Sequence, residues 1–416
     1  MTLIEIFDRF APKNMALCLH LRPEKLILVG DQEQIDLFLP RCRELLAARS
    51  MQTKVTCCHV NLDKVEQTVG KLETILREEN ECAVDIAGGD ERIVLAVGAA
   101  LAALDGRQRK KVTVRKVDLE TGTVKTLWGD RETSEPLSVK MTVRDMVKLQ
   151  GGTLHPTTTQ PAANCEPADL DGLWDLMRRN PRGWNRSITY LREFESRTEP
   201  NDQIYLSLRM LRGSIKNFDE KLTQVRGILA DLRECGAIRD HSRGDSLRYS
   251  YTSPLVRACT LGPGNILENK ALLEARSLRL DGKPYFQDCQ MGVHIDWDGV
   301  VYGTPRIPET RNEVDLVLMR GMTPLFVSCK NGDIEEEEIY KLHTVATRFG
   351  GPHARKMLIA TAIGNGLPED RPLRKRAEDM AITLVTDAAS LTGRDWAELF
   401  MQAMRPSGAD ATDKER

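Results

Sequence analysis

Asn312-Glu313-Val314-Asp315-Leu316-Val317-Leu318 is followed, after a turn containing Gly321, by Pro324-Leu325-Phe326-Val327-Ser328-Cys329-Lys330. Both pieces are rich in Val, Leu and Phe, and together they predict a hairpin. Side chains alternate between the faces of a strand, so Glu313 and Asp315 share one face, and Ser328 and Lys330 share one. Carboxylates on one strand and a lysine closing its partner can hold a hard divalent cation and stabilise charge, or poise a water, beside it. The same residues also describe a plain cross-strand Asp–Lys pair on a sheet surface. The surroundings of the hairpin decide between the two.

Upstream, Gly262 to Glu268 opens a helix whose apolar positions continue through Leu272 and Leu273, and Met291 to Trp297 predicts a strand. Downstream, the acidic run from Asp333 to Glu338 begins a helix that continues through Tyr340, Leu342, Val345, Ala346 and Phe349 and stops at Gly350-Gly351. Met357 to Ala360 and Ile382 to Val385 predict buried strands around a basic helix near Arg371 to Met380.

Helix with glutamate, strand, strand with aspartate, strand ending in lysine, helix, strand: this order resembles the PD-(D/E)xK restriction-endonuclease-like fold over residues 262 to 387. The resemblance implies a metal-dependent endonuclease with Lys330, Asp315, Glu268 and Glu313 as catalytic residues. It also implies Mn²⁺ or Mg²⁺ held by Asp315, Glu268 and the backbone carbonyl of Cys329. Ser328 stands where that family carries an acid, and a hydroxyl is a weak ligand for such a cation. Glu313, Glu268 or a glutamate of the Glu335 to Glu338 run is then expected to supply the missing charge. Arg311, Lys341 and Arg348 are basic residues available to a nucleic-acid backbone, and without base-reading elements little sequence specificity is expected.

The first 150 residues read as a different unit. Leu26 to Asp31, Val55 to Val60 and Cys82 to Ala87 are short apolar runs, each followed by a helical pattern, which predicts a doubly wound α/β sheet. The third run passes into Gly88-Gly89-Asp90 and a small-residue helix from Ile93 to Leu104. Such a turn offers free N–H groups and the positive end of a helix dipole to an anion, or serves as a tight connection capped by Asp90. It is neither GxGxxG nor a P-loop.

Asp85-Ile86-Ala87-Gly88-Gly89-Asp90-Glu91 resembles the nucleotide-contacting turn of CARF domains, Rossmann-like sensors of cyclic oligoadenylates in type III CRISPR systems. The glycines match the usual Asn, apolar, Thr, Gly, Gly, Thr, Lys; Asp85, Ala87, Asp90 and Glu91 depart from it. The resemblance implies ligand contacts from Lys13, Asn14, Gly88, Gly89 and Asp90. The first ligand loop would be Phe7 to Asn14, where Arg9 and Lys13 can offset phosphate charge, although Lys13 and Asn14 also fit an exposed turn and a helix cap.

Residues 151 to 169, rich in Gly, Pro and Thr, read as a linker. Residues 170 to 258 then give helical segments at Leu170 to Arg178, Leu206 to Leu211 and Phe218 to Glu234, followed by two strands around Gly244-Asp245. This small α+β module resembles a winged helix. It contacts DNA through Arg239, Arg243 and Arg248, or, the favoured reading, packs as a spacer between domains. Residues 259 to 405 form the nuclease-like domain, and 406 to 416 are expected to be disordered.

With 416 residues and a net charge of −2, the chain carries no overall basicity, so nucleic-acid binding must be local. The ten cysteines show no CxxC pair, which disfavours structural zinc and fits a reducing cytoplasm. No signal peptide or membrane span is expected. A CARF sensor joined to a PD-(D/E)xK nuclease resembles the CRISPR ancillary nucleases. That implies a homodimer with cyclic tetra-adenylate as allosteric activator at its interface, and DNA or RNA as substrate. The alternative is a ligand-responsive nucleic-acid-binding regulator whose nuclease-like domain is inactive.

Overall fold

The computed structural model describes residues 1–129, 131–155, 166–197, 203–262, 264–300, 311–332, 334–361 and 371–406. Most of the expected linker (156–165), Asp333, the side chain of Arg311 and the tail from 407 lie outside the described residues. The chain is an α/β protein built on three principal sheets.

The first sheet is formed by β1 (Thr2–Ile6), β2 (Lys25–Gly30), β3 (Lys54–His59), β4 (Cys82–Asp85), β5 (Val112–Asp118), β6 (Thr123–Trp128) and β7 (Thr133–Pro136), in the order β3-β2-β1-β4-β5-β6-β7. The first five strands are parallel and the last two antiparallel. Helices α1 (Lys13–Leu21), α2 (Gln32–Ala48), α3 (Val65–Glu78), α4 (Glu91–Ala103) and the short α5 (Gly106–Arg109) connect them. The order reverses between β1 and β4, so their carboxyl ends open the crevice in which such sheets bind ligands. β1 and β5 to β7 escape the apolar-run criterion, because Glu5 interrupts the first and charged residues alternate along β5.

After α6 (Val143–Leu149), β8 (Thr153–Leu154) pairs with the last sheet, so the start of the segment read as a linker is structured. The middle module holds α7 (Asp171–Arg179), α8 (Pro181–Glu195), β9 (Gln203–Ser207), α9 (Leu208–Leu211), α10 (Phe218–Glu234), β10 (Ile238–Asp240), β11 (Ser246–Tyr251) and α11 (Pro254–Leu261). Its sheet order is β10-β11-β9. The helix expected from Leu206 begins only at Leu208, because Gln203 to Ser207 pairs with β11 and alternates exposed and buried residues as an edge strand does.

The third sheet follows α12 (Asn265–Ser277) and a small ribbon, β12 (Arg279–Leu280) with β13 (Lys283–Pro284). It contains β14 (Asp288–Asp296), β15 (Arg311–Arg320), β16 (Thr323–Lys330), β17 (Arg355–Ala360) and β18 (Ile382–Val385), in the order β18-β17-β16-β15-β14-β8. Helices α13 (Glu336–Gly350), α14 (Arg371–Asp379) and α15 (Gly393–Ala403) complete it.

The hairpin β15–β16 alternates between two cores. Leu316, Leu318, Leu325 and Val327 join a core with α12, α15 and the middle module. Val317, Met319 and Phe326 join a second core with α13, α6 and the first domain, including Leu3, Phe10 and Leu28. The third sheet is therefore packed on both faces, by the first domain on one and the middle module on the other. The seam to the first domain is also polar: Met141 N–H donates to the Gly321 carbonyl at 2.9 Å, and Arg355 pairs with Glu120 at 3.2 Å.

Candidate active site

The ladder between β15 and β16 ends at Leu316–Val327. Beyond it, Asp315 bridges the two strands with its side chain: Oδ2 accepts from Cys329 N–H at 2.6 Å and from the Ser328 hydroxyl at 3.2 Å. Ser328 thus acts as a donor that orients the aspartate. N–H and C=O of one strand residue face the same neighbour, so the Cys329 carbonyl also points toward the β15 edge, where the sequence reading wanted an oxygen ligand.

Asp315 and Ser328 line a cleft of 330 Å³ with Asn312, Glu313, Lys330, Glu338 and Lys341. Of the acidic run, Glu336 pairs with Arg376 and Glu337 with Lys341, whereas Glu338 turns inward and places Oε2 2.9 Å from Lys330 Nζ. Glu313 is exposed and faces His294 at 3.9 Å across the β14–β15 ladder.

Electrostatics single out two acids. Burial raises the Asp315 carboxyl, against the hydrogen bond from Cys329 and the charge of Lys330. Burial, then the charges of Asp315 and Glu313, lift Glu268, in the first turn of α12, to about 7. A carboxylate that neighbouring carboxylates drive toward neutrality is a seat for a cation. Among the described residues no three acidic, imidazole or thiol side chains already stand in the geometry of a metal centre. The donor chemistry fits a hard divalent ion, with Asp315 and Glu268 as oxygen ligands and Glu338 the carboxylate within reach of the same cleft.

The second cluster lies at the reversal point of the first sheet. Asp8 organises it: one carboxylate oxygen accepts from Phe10 N–H at 2.7 Å, the other from Gly89 N–H at 3.2 Å and from Lys13 at 3.5 Å. Asn14 is fully buried and clamps the loop, accepting from Asp8 N–H at 2.7 Å and donating to the Asp8 carbonyl at 2.9 Å. The glycines are sterically required. A Cβ on Gly88 would fall 2.3 Å from Asp8, and Gly89 has φ +84° with its Cβ position 2.2 Å from Ile6. Asp90 caps α4 through Arg92 N–H and chelates the Arg92 guanidinium, which holds its carboxyl down at about 2. Thus Lys13 and Asn14 shape the first loop, Gly88 packs beneath it, and Gly89 and Asp90 line a 290 Å³ cleft with Phe7, Arg9, Asp31 and Glu91.

The sequence reading missed Asp8, which no periodicity marks. It also left Glu338 unseparated from its acidic neighbours. Only the phase of α13 relative to β16 selects Glu338, and that phase is set by packing. Arg239 and Arg248 are exposed on the outer face of the middle sheet, Arg243 lies in its hairpin turn, and Arg348 stands at the far end of α13 from the cleft.

The fold and this pair of clefts define a two-cleft α/β protein: a Rossmann-like domain fused to a hairpin-centred mixed sheet. No family profile matches the sequence, and no curated protein matches it. Among solved structures, the chain is similar to protein VC1899 from Vibrio cholerae, at 15% identity and TM-score 0.71, over 98% of this chain and 99% of that one. It is also similar to Can2 from Sulfobacillus thermosulfidooxidans, solved in complex with cyclic tetra-adenylate, at 15% identity and TM-score 0.64, over 97% and 99% of the two chains. At these identities the shared property is the fold.

Proposed function

We propose that this protein is a cyclic-oligoadenylate-activated, metal-dependent nuclease of type III CRISPR defence, cutting DNA or RNA with little sequence specificity. The observation that carries the reading is the convergence of Asp315, Lys330 and Glu338 on one cleft at the open end of the β15–β16 hairpin, with Glu268 near enough for the charge of Asp315 to lift its carboxyl. The fold shared end to end with a protein solved with cyclic tetra-adenylate supports the sensor half.

Mn²⁺ or Mg²⁺, held by Asp315, Glu268 and the Cys329 carbonyl with Glu338 supplying the charge that Ser328 lacks, would provide Lewis-acid polarisation of a phosphodiester. Asp315 is preset for this by Ser328 and Cys329. Lys330 orients the attacking water or neutralises charge developing on the phosphoryl oxygens. Arg9, the glycine turn and the positive end of α4 would meet ligand phosphates, while Asp31 and Glu91 accept from ribose or adenine donors.

A symmetric ligand suits an isologous dimer. The outer face of α4, with Leu95, Gly98, Ala99 and Ala102 all exposed beside the ligand cleft, is a surface on which a second copy would pack closely. Helix α13 links the clefts. Its first turn carries Glu338, and its terminus packs on the first ligand loop, where a Cβ at Gly351 would lie 2.4 Å from the Phe10 ring. Ligand that moves this loop biases the placement of Glu338.

The test is cleavage of supercoiled plasmid, single-stranded DNA and RNA with Mn²⁺, with and without cyclic tetra-adenylate. Cleavage that requires both supports the whole reading. Cleavage independent of the nucleotide removes the sensor, and nucleic-acid binding without cleavage replaces the nuclease with the regulator.

A further inference from the structure

Besides the shared apolar core, a reciprocal amide pair ties the middle module to the residue that follows the active-site strand. Asn185 of α8 donates to the Asn331 carbonyl at 2.7 Å, and the Asn331 amide donates back to Asn185 Oδ1 at 2.8 Å. Asn331 directly follows Lys330 and is fixed a third time by the Thr361 hydroxyl at 2.8 Å, at the end of β17. This places the N-terminal half of α8 against the residue that follows Lys330 in the chain. The elbow between α7 and α8 is basic: Arg178 and Arg179 end α7, Arg182 and Arg186 lie in the first half of α8, and no carboxylate falls between residues 178 and 192, although Arg178 pairs with Asp175 at 2.8 Å.

Arg179, Arg182 and Arg186 are exposed. Arg182 and Arg186 lie four residues apart, on one face of α8, with Cβ atoms about 6 Å from each other. They flank Asn185 at three residues before and one after. The Asn180 side chain, accepting from Gly183 N–H at 2.9 Å, fixes the elbow between α7 and α8. The N-terminus of the fifteen-residue α8, the positive end of its dipole, lies at the same elbow.

The features that give winged helices their DNA contacts are weaker here. The exposed face of α10 carries Asp219, Glu220, Asp231 and Glu234 against Arg226 and Arg233. On the outer sheet, Arg239 and Arg248 are separated from the Lys330 strand by the helices of the module, and Arg248 donates to Gln203 at 3.2 Å.

We propose that the α7–α8 elbow, through Arg179, Arg182 and Arg186, grips the sugar–phosphate backbone of the nucleic-acid strand lying in the Lys330 cleft. The middle module is then a substrate clamp rather than a spacer. The proposal rests on the nuclease reading for the location of the strand, but its test does not require cleavage.

The experiment measures binding by full-length protein with Asp315→Ala, in EDTA, so that nothing is cut. Labelled single-stranded DNA, duplex DNA and RNA are titrated by fluorescence anisotropy across a salt series, with and without cyclic tetra-adenylate. Adding Arg182→Gln and Arg186→Gln is expected to weaken binding at least about tenfold and flatten the log–log salt slope by about 2. The Arg→Lys pair, which keeps both charges, restores the slope. Unchanged affinity and slope in the glutamine pair overturns the proposal. So does loss of binding in Arg239→Gln/Arg248→Gln with the elbow intact. Binding through the elbow by a protein that never cleaves would remove the nuclease and leave the clamp standing.

Discussion

Lys330 Nζ lies 2.9 Å from Glu338 Oε2, and this contact joins the last residue of β16 to the first turn of α13. A half-exposed ion pair of this kind stabilises a fold by no more than about 1 kcal/mol, so stability alone does not account for a carboxylate turned into the cleft. On the proposed reading, Glu338 is the acid that supplies the charge Ser328 lacks. Glu338→Gln is therefore expected to lower kcat at least about 100-fold while leaving the thermal midpoint and cyclic tetra-adenylate binding in place. Glu336→Gln and Glu337→Gln, which lose only surface partners, should stay within about threefold of wild type. Equal rates in all three variants would remove Glu338 from the site.

The position of Glu268 gives a metal-dependent prediction. Its carboxyl is lifted to about 7 by burial and by the charges of Asp315 and Glu313. A ligand must be ionised to bind, and below that value the proton competes with the cation. Apparent Mn²⁺ affinity should rise as pH increases from about 6 to 8, read as the metal concentration for half-maximal cleavage or by titration calorimetry. Glu268→Gln should weaken binding and remove most of the pH dependence. Asp315→Ala, which also strands the Cys329 N–H and Ser328 donors, should abolish cleavage at every metal concentration tested.

How much of this could be read from the chain follows from where each signal is stored. Asp315 and Lys330 are legible because strand alternation is local, and their facing sides are fixed by period two. The glycines at 88 and 89 are legible because a strand-to-helix turn demands them. Asp8 is not, since its importance comes from a loop closing on itself and on Gly89, 81 residues away. β5 to β7 are hidden because an antiparallel edge exposes one face and loses the apolar run. Likewise, Asn185 and Asn331 are 146 residues apart, and neither has a sequence neighbour that announces the other.

Phe10 offers a test of communication between the clefts. Its N–H is held by Asp8, whose other oxygen holds Gly89, and its ring fills the space above Gly351 at the end of α13. Phe10→Ala should leave cyclic tetra-adenylate affinity within a few-fold of wild type but cut the ligand-stimulated rate by about tenfold or more, with the unstimulated rate unchanged. This corresponds to the loss of a coupling free energy of about 1–2 kcal/mol. Calorimetry for binding and single-turnover cleavage for rate separate the two effects. A parallel loss of binding would make Phe10 part of the ligand site instead.

Beneath the glycine turn, Glu5 and Asp85 are register partners on β1 and β4, both buried, each with one carboxylate oxygen lacking a hydrogen-bond partner. Burial lifts Asp85 to about 7, and burial followed by the charge of Asp85 lifts Glu5 well above its ordinary value. Because the folded state holds protons that the unfolded chain releases near pH 4, stability from this pair is present at low pH. It declines as pH rises toward the folded values. Between pH 5.5 and 8 the wild type should therefore lose stability, with Asp85 responsible for on the order of 2 kcal/mol. Asp85→Asn keeps the acceptor for Ala87 N–H and needs no proton. It should be more stable than wild type at pH 8, and its stability should depend less on pH, with Glu5→Gln added flattening the profile further. Urea denaturation at pH 5.5 and 8 measures both, and equal slopes in wild type and double variant would show that the pair is ionised in the folded protein.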